Sequence, residues 1–210
     1  MPFDSILFDF DGVLADTEPI HYQCWLEILA PYGIQPSWEY YERECIGISD
    51  RLMVERISTP AMFDEIWPQY ARKQALFREK LAAKSPFSTE TTNLIAELAP
   101  KYKLAVVSSS GRGEIEPPLV AAGIRHHFPA MVCGKEAGEL KPAPAPYLRG
   151  AELLGAINPL VVEDSEAGEA SGRAAGFEVL RVNNAESVPS EVRRILTIFA
   201  QKAIQQETVR

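Results

Sequence analysis

An α/β fold with a mainly parallel sheet, interrupted after its first strand by a block of helices, is predicted by three observations. Short apolar runs alternate with stretches of helical periodicity along most of the 210 residues, the pattern of repeated strand–helix–strand units. Several of those runs end in acids or hydroxyls, as buried parallel strands do where an open sheet carries its ligand at the carboxyl edge. Between Thr17 and Lys84 the alternation stops, and one helical pattern follows another.

Taken in order, strands are expected at Ser5–Asp9, Leu104–Ser108, Ala130–Cys133, Leu160–Glu163 and Glu178–Val182, each a short run rich in Val, Ile, Leu, Met or Phe. Helices are expected at His21–Leu29, Ser37–Glu44, Arg51–Ile57, Met62–Trp67 and Gln69–Leu81, with Gly33, Gly47 and Pro60 as punctuation. These five read as an inserted helical cap over residues 17–84, with residues 1–16 and 85–210 forming the sheet-bearing core, and Trp25, Trp38, Trp67 and Phe77 read as the cap's own interior. Thr89–Leu98 and Ala143–Leu154 are expected to cover the sheet. The tail from Ser190 to Gln206 carries Val192, Ile195, Leu196, Ile198, Phe199 and Ile204 and is expected to dock as a surface helix.

Composition narrows the function classes. Lys and Arg number 21 against 29 Asp and Glu, a net charge of −8 that argues against nucleic acid or an anionic membrane as partner and requires any anionic substrate to find a local positive pocket. Cys24, Cys45 and Cys133 are scattered, odd in number and without C-x-x-C spacing, so they read as reduced core thiols. Acids stand near the N-terminus where a signal peptide needs basic residues, and no apolar run approaches the length of a membrane span, so a cytoplasmic protein is expected. The oligomeric state is left open, with a monomer as the default.

Four segments carry chemistry. Ser5-Ile6-Leu7-Phe8-Asp9-Phe10-Asp11-Gly12 runs an apolar strand into two aspartates whose i, i+2 spacing puts them on one side of an extended chain, and Gly12 is expected to turn the chain sharply while exposing its backbone N–H. A D-x-D alone also occurs in sugar-nucleotide enzymes, calcium loops and solvated turns. The strand in front of it weighs against the last. Leu104-Ala105-Val106-Val107-Ser108-Ser109-Ser110-Gly111 ends a second strand in hydroxyls and a glycine, suited to an oxyanion. Glu139-Leu140-Lys141-Pro142-Ala143-Pro144 holds one lysine among prolines, although a lysine taken singly is usually a solvated charge. Leu160-Val161-Val162-Glu163-Asp164-Ser165 ends the fourth strand in adjacent acids, of which Asp164, or Ser165 beside it, is equally suited to cap the next helix.

In this order the four segments resemble the motifs of the haloacid dehalogenase superfamily: D-F-D-G-V-L-A-D-T-E, V-V-S-S-S, L-K-P-A-P and V-E-D-S-E-A-G, continued by Ala174-Ala175-Gly176-Phe177 and a strand. The match spans nearly the whole chain. The length and position of the helical insert are similar to the subgroup that includes β-phosphoglucomutase and many small-metabolite phosphatases. The resemblance implies a Rossmann-like core with strand order 5-4-1-2-3 and a Mg²⁺-dependent phosphatase acting on a small phosphorylated metabolite. Asp9 is then the nucleophile and Asp11 the general acid and base. Ser108, Ser109, Gly12 and Lys141 hold the phosphoryl group. Mg²⁺, a hard cation that takes oxygen ligands, is held by Asp9, the Asp11 main-chain carbonyl and Asp164, with Glu163 either a ligand or behind one. Asp11, Glu163 and Asp164 together argue against the metal-free dehalogenases of the same superfamily, which lack the second aspartate.

In the cap, His21, Gly47-Ile48-Ser49 and Lys73 match positions that line the substrate cleft in β-phosphoglucomutase-like members. His21 is equally compatible with packing at the hinge, and Lys73 with Arg72 is equally compatible with a solvated helix face. Two positions depart from the pattern. Asp50 stands where mutases carry a phosphate-binding arginine, with Arg51 one residue later and so rotated by about 100°; Ala145 stands where an aspartate usually continues the K-P-A-P run, a departure that bears on local loop or helix capping more than on catalysis. The expected activity is therefore monophosphate hydrolysis. A phosphomutase is the alternative, and a non-catalytic binding module comes third.

Overall fold

The computed structural model describes residues 2–46 and 48–208, so Gly47 lies outside the described residues. In chain order it forms β1 (Ser5–Phe8), α1 (Glu18–Leu29), α2 (Trp38–Glu44), α3 (Asp50–Ile57), α4 (Pro60–Ile66), α5 (Tyr70–Ala83), α6 (Thr89–Leu98), β2 (Lys103–Ser108), α7 (Arg112–Ala121), β3 (Ala130–Cys133), α8 (Ala145–Leu154), β4 (Pro159–Glu163), α9 (Glu166–Ala174), β5 (Glu178–Arg181) and α10 (Val188–Thr208). By contacts the chain divides into two compact units, Met1–Asp16 with Ser85–Arg210 and Thr17–Lys84. Where the chain leaves and re-enters the first unit, Asp16 N–H donates to Pro86 O at 3.0 Å and ties exit to entry.

The first unit is an α/β Rossmann-like fold. Its five strands run in the order β3-β2-β1-β4-β5, all parallel, the 5-4-1-2-3 order read from the other edge. β1 lies at the centre, with Phe8 in register with Val106 of β2 and Val162 of β4. The chain order reverses between β1 and β4, which makes their carboxyl ends the topological switch point where open α/β sheets bind ligands. Two expected strand ends shorten by one residue: Asp9 and Val182 keep one ladder bond each, to Val162 O and Glu163 O, but lie past the paired residues.

The pleat's period of two sorts the strand residues onto two faces. Ile6, Phe8, Leu104, Val106, Leu160 and Val162 pack with Leu94, Ile95 and Leu98 of α6, Ile115 and Leu119 of α7, and Val188 and Val192 of α10. Leu7, Ala105, Val107 and Val161 pack on the other side with Tyr147, Ala151 and Leu154 of α8. Each such buried aliphatic side chain contributes about 1.5–3 kcal/mol of transfer free energy. α7 carries Pro117-Pro118 and so lacks two backbone donors. The helix forms nonetheless, since Ile115 and Leu119, four residues apart, both reach the core.

The second unit is wholly helical among its described residues. Ser37, Ser49 and Thr59 accept from the backbone N–H groups of Tyr40, Leu52 and Met62 and so start α2, α3 and α4. Its core is Trp25, Ile28, Leu29, Tyr41, Cys45, Met53, Val54 and Ile66, with Trp38 and Trp67 partly buried against it and a satellite of Cys24, Phe77 and Leu81. All three cysteines are free and buried. No helix among the described residues is long and apolar enough to cross a membrane.

Candidate functional site

The carboxyl ends of β1, β2 and β4 and the turn before α8 converge on one ammonium. Lys141 Nζ donates to Asp9 Oδ1 at 2.7 Å, to Glu163 Oε1 at 2.5 Å and to Val107 O at 2.9 Å, which accounts for all three of its hydrogens. Its side chain is 5% exposed, so the solvated-charge reading of a single lysine does not hold here. Lys141 is joined to Pro142 by a cis peptide bond. Burial would push the ammonium down, but the charges of Asp9 and Glu163 raise it, so it stays protonated.

Glu163 is fully buried and both of its oxygens are taken. Oε1 accepts from Lys141 and, at 2.8 Å, from the Tyr147 hydroxyl; Oε2 accepts from Asp164 N–H, Ser165 N–H and Ser165 Oγ at 3.0–3.1 Å. Burial alone would raise its carboxyl; Lys141 and these donors hold it below its ordinary value. The backbone is shaped to this carboxylate: a Cβ on Gly168, in the first turn of α9, would lie 1.7 Å from Glu163 Oε1. Ser165, not Asp164, caps α9, accepting from Gly168 N–H at 3.0 Å.

Asp164 is thereby left for another task. It stands against Gly12, where a Cβ would lie 2.1 Å from Asp164 Oδ2 and where φ is +72°, so both space and backbone call for glycine. One expectation for Gly12 is corrected: its N–H is spent on Ala15 O at 2.9 Å rather than exposed, because the turn after Asp11 closes on itself through that bond. One ligand oxygen each from Asp9, Glu163 and Asp164 fall within 4.8 Å of one another, an all-oxygen set of the kind that suits a hard divalent cation. Burial, then Glu163, pushes the Asp9 carboxyl well above its ordinary value, with Lys141 opposing. Burial and Glu163 likewise raise Asp164 to about 6.

Asp11 joins this centre through Ser110, whose hydroxyl donates to Asp11 Oδ2 at 2.7 Å. Ser110 N–H in turn donates to Ser108 Oγ at 3.0 Å; Ser108 is buried and Ser109 is exposed. Sequence reasoning missed two side chains, Ser110 and Tyr147. Tyr147 sits at a core-facing position of α8, indistinguishable in the pattern from packing, yet its ring lies 4.9 Å from the Lys141 ammonium. The third serine of V-V-S-S-S was the available signal for Ser110. α8 starts at Ala145 with Pro144 at its N-cap and no side-chain cap.

Within the helical unit, His21, Lys73 and Asp50 form a second cluster. Lys73 Nζ lies 2.7 Å from His21 Nδ1 and donates to Asp50 Oδ2 at 3.0 Å; Trp25 Nε1 donates to Asp50 Oδ1 at 2.7 Å; and the His21 ring stacks on Phe77 at 4.0 Å. Lys73 is 2% exposed, which corrects the solvated-face alternative: α5 turns it toward the interior while Arg72 stays exposed. Ser49 caps α3, and Arg51 is exposed and paired with Glu55 at 3.0 Å.

This ion pair makes a stability prediction. Lys73→Met should destabilise the unit by about 2–4 kcal/mol, since it leaves a mostly buried carboxylate without its cation, and Asp50→Asn added to it should recover part of the loss. Urea unfolding of the three proteins checks this; Lys73→Met as stable as the parent would refute it. Burial, the largest single influence, raises the Asp50 carboxyl, but Lys73, His21 and the hydrogen bond from Trp25 together outweigh it and the net shift is downward. The folded state therefore binds fewer protons there, so this contribution is complete above the unfolded carboxylate range and is lost as pH falls through the lower folded value.

Residues 6–182 match the family model of the haloacid dehalogenase-like hydrolases. The chain belongs to that family. Among curated relatives, a phosphorylated carbohydrates phosphatase of Thermotoga maritima is 28% identical over 83% of this chain and 82% of its own length. A fructose-1-phosphate phosphatase of Escherichia coli is 28% identical over 86% of this chain and 96% of its own. The crystal structure of a β-phosphoglucomutase from Clostridium difficile superposes with a TM-score of 0.71 at 18% identity, covering 96% of this chain and 99% of that one, a likeness of fold. The family and its named phosphatases make the chain a hydrolase of phosphoric monoesters.

Proposed function

We propose that this hydrolase is a Mg²⁺-dependent phosphatase of a small phosphorylated metabolite, working through an aspartyl-phosphate on Asp9. The observation that carries the reading is the triple contact of Lys141, which sets the Asp9 carboxylate beside a buried ammonium at the switch point of the sheet. An Asp9 oxygen attacks phosphorus while the bond from phosphorus to the metabolite oxygen breaks; the electron pair leaves on that oxygen, which takes the proton of Asp11. Water then attacks phosphorus and gives its proton to Asp11, and the Asp9–phosphorus bond breaks with its electron pair returning to the carboxylate. Ser108 and the backbone of the Ser108–Ser110 turn hold the phosphoryl oxygens. Lys141 contributes its charge, since its hydrogens are already donated.

Asp9, the Asp11 main-chain carbonyl and Asp164 are the oxygens assigned to Mg²⁺, and Glu163, saturated by five donors, stands behind them. Bound there, the cation supplies charge neutralisation of the phosphoryl oxygens. In this reading residues 17–84 are the cap that selects the metabolite, with His21 and Ser49 as its candidate contacts and Lys73, expected from the sequence to join them, held inside the cap on Asp50 and His21. The sugar-phosphate phosphatases among the relatives support a sugar monophosphate. Pairing of Lys73 with Asp50 and of Arg51 with Glu55 supports hydrolysis over mutase chemistry, because both cations that could clamp a second phosphate already have counter-ions. The buried free thiols support a reducing, cytoplasmic setting.

The test is phosphate release from a panel of sugar monophosphates and phosphoglycolate. Release should be lost in excess EDTA and restored by Mg²⁺. Activity unchanged by chelation would remove the metal from the mechanism. Isomerisation of β-glucose 1-phosphate, primed with glucose 1,6-bisphosphate and read by a coupled dehydrogenase, should run far below phosphate release; the reverse ratio would make the protein a mutase.

A further inference from the structure

We propose that Ser110 is a positioning residue for Asp11, holding the carboxyl group in the orientation from which it exchanges protons with the metabolite oxygen and with water. The inference rests on the assignment of Asp11 as acid and base. Its basis is the 2.7 Å contact from Ser110 Oγ to Asp11 Oδ2, a length at the short, charge-assisted end of O–H···O bonding, between residues 99 positions apart in the chain. The serine is itself fixed, because its N–H is bonded to the buried Ser108 Oγ at 3.0 Å. One residue thus links the hydroxyl proposed to hold the phosphoryl group to the carboxyl proposed to protonate the leaving oxygen. Asp11 is only partly buried and lies three residues past the end of β1, on a turn rather than in the sheet. The bond from the neighbouring β2 turn restrains the rotamer of a carboxyl group that lies outside the packed core. A hydroxyl also suits the task chemically, since it donates to a carboxylate and, after rotation, accepts from a carboxylic acid, and so keeps hold of Asp11 in both half-reactions.

The experiment compares Ser110→Ala, Ser110→Thr and Asp11→Asn with the parent in Mg²⁺ buffer. It measures kcat/KM for three leaving groups: the alkyl monophosphate turned over fastest in the panel, p-nitrophenyl phosphate and 2,4-dinitrophenyl phosphate. This ratio reports the steps up to phosphorylation of Asp9, where a proton is needed only if the leaving oxygen is basic. Ser110→Ala keeps the backbone bond to Ser108 and should lose about tenfold with the alkyl phosphate and less than about twofold with the dinitrophenyl ester. Ser110→Thr should restore most of the loss. Asp11→Asn should show the same dependence on leaving group with a larger amplitude, of order 10²–10⁴. An equal loss for Ser110→Ala on all three esters, or no loss, would overturn the positioning role while leaving Asp11 in place. No leaving-group dependence for Asp11→Asn would instead overturn the assignment on which the inference rests.

Discussion

Asp9→Asn is expected to abolish phosphate release while leaving the fold and its stability intact. The amide keeps a carbonyl oxygen for Lys141 but has no anionic oxygen to attack phosphorus, so the covalent route closes. Stability should not fall, because burial and the neighbouring Glu163 already disfavour a charge at this position. Monoester hydrolysis in water is so slow that no residual pathway should rescue the variant, and less than about a hundredth of the parent rate is expected. Retention of more than that with an unchanged unfolding curve would remove Asp9 as nucleophile. The complementary measurement is a quenched reaction of the parent protein, in which a hydroxylamine-sensitive phosphate should map to the peptide carrying Asp9.

Lys141→Met is expected to have the largest combined effect on activity and stability. Glu163 is fully buried, and loss of the ammonium leaves its charge to Tyr147 and the donors at the start of α9 alone, while Asp9 loses its counter-charge in the same step. Removing one partner of a buried pair costs about 3–5 kcal/mol, and removing a preorganised charge from a transferring group costs about 10²–10³ in turnover. The two effects separate in the double variant Lys141→Met with Glu163→Gln. Its amide nitrogen can face Tyr147, whose hydroxyl then accepts, so stability should largely return while turnover stays low. A Lys141→Met protein with the parent's unfolding midpoint and turnover would contradict the contact geometry from which the site is built.

Much of this site was legible in the chain because its parts are local. Asp9, Asp11 and Gly12 are neighbours on one turn, and Glu163, Asp164 and Ser165 on another, so apolar strand followed by acid is visible as a pattern. Relationships across strands were not. Whether Glu163 faces a metal or a lysine depends on where Lys141, 22 residues earlier, reaches in space, and periodicity around Tyr147 records that α8 buries one face without recording that a hydroxyl on that face meets a carboxylate. The exposed N–H expected of Gly12 failed for a related reason: a glycine announces a turn, but which carbonyl the turn closes on, here Ala15 O, is a matter of backbone geometry.

By itself the sequence determined the strand–helix alternation, the parallel sheet, the helical insert and the identity of the acids and the lysine, since these follow from side-chain period, burial preference and residue type within short windows. Tertiary structure decided how those groups divide the work. In the insert it turned Lys73 inward onto Asp50 and His21, where helical spacing alone also allowed a solvated face, because the choice depends on which side of α5 faces α1 and its Trp25. In the core it spent Glu163 on Lys141, Tyr147 and the start of α9, and set Asp164 against Gly12. Two adjacent acids on one strand end are equivalent in a sequence. They become different groups only when donors from Lys141, Tyr147 and the start of α9 converge on Glu163 while Asp164 is set against Gly12, because the free energy that separates the two comes from burial and partners.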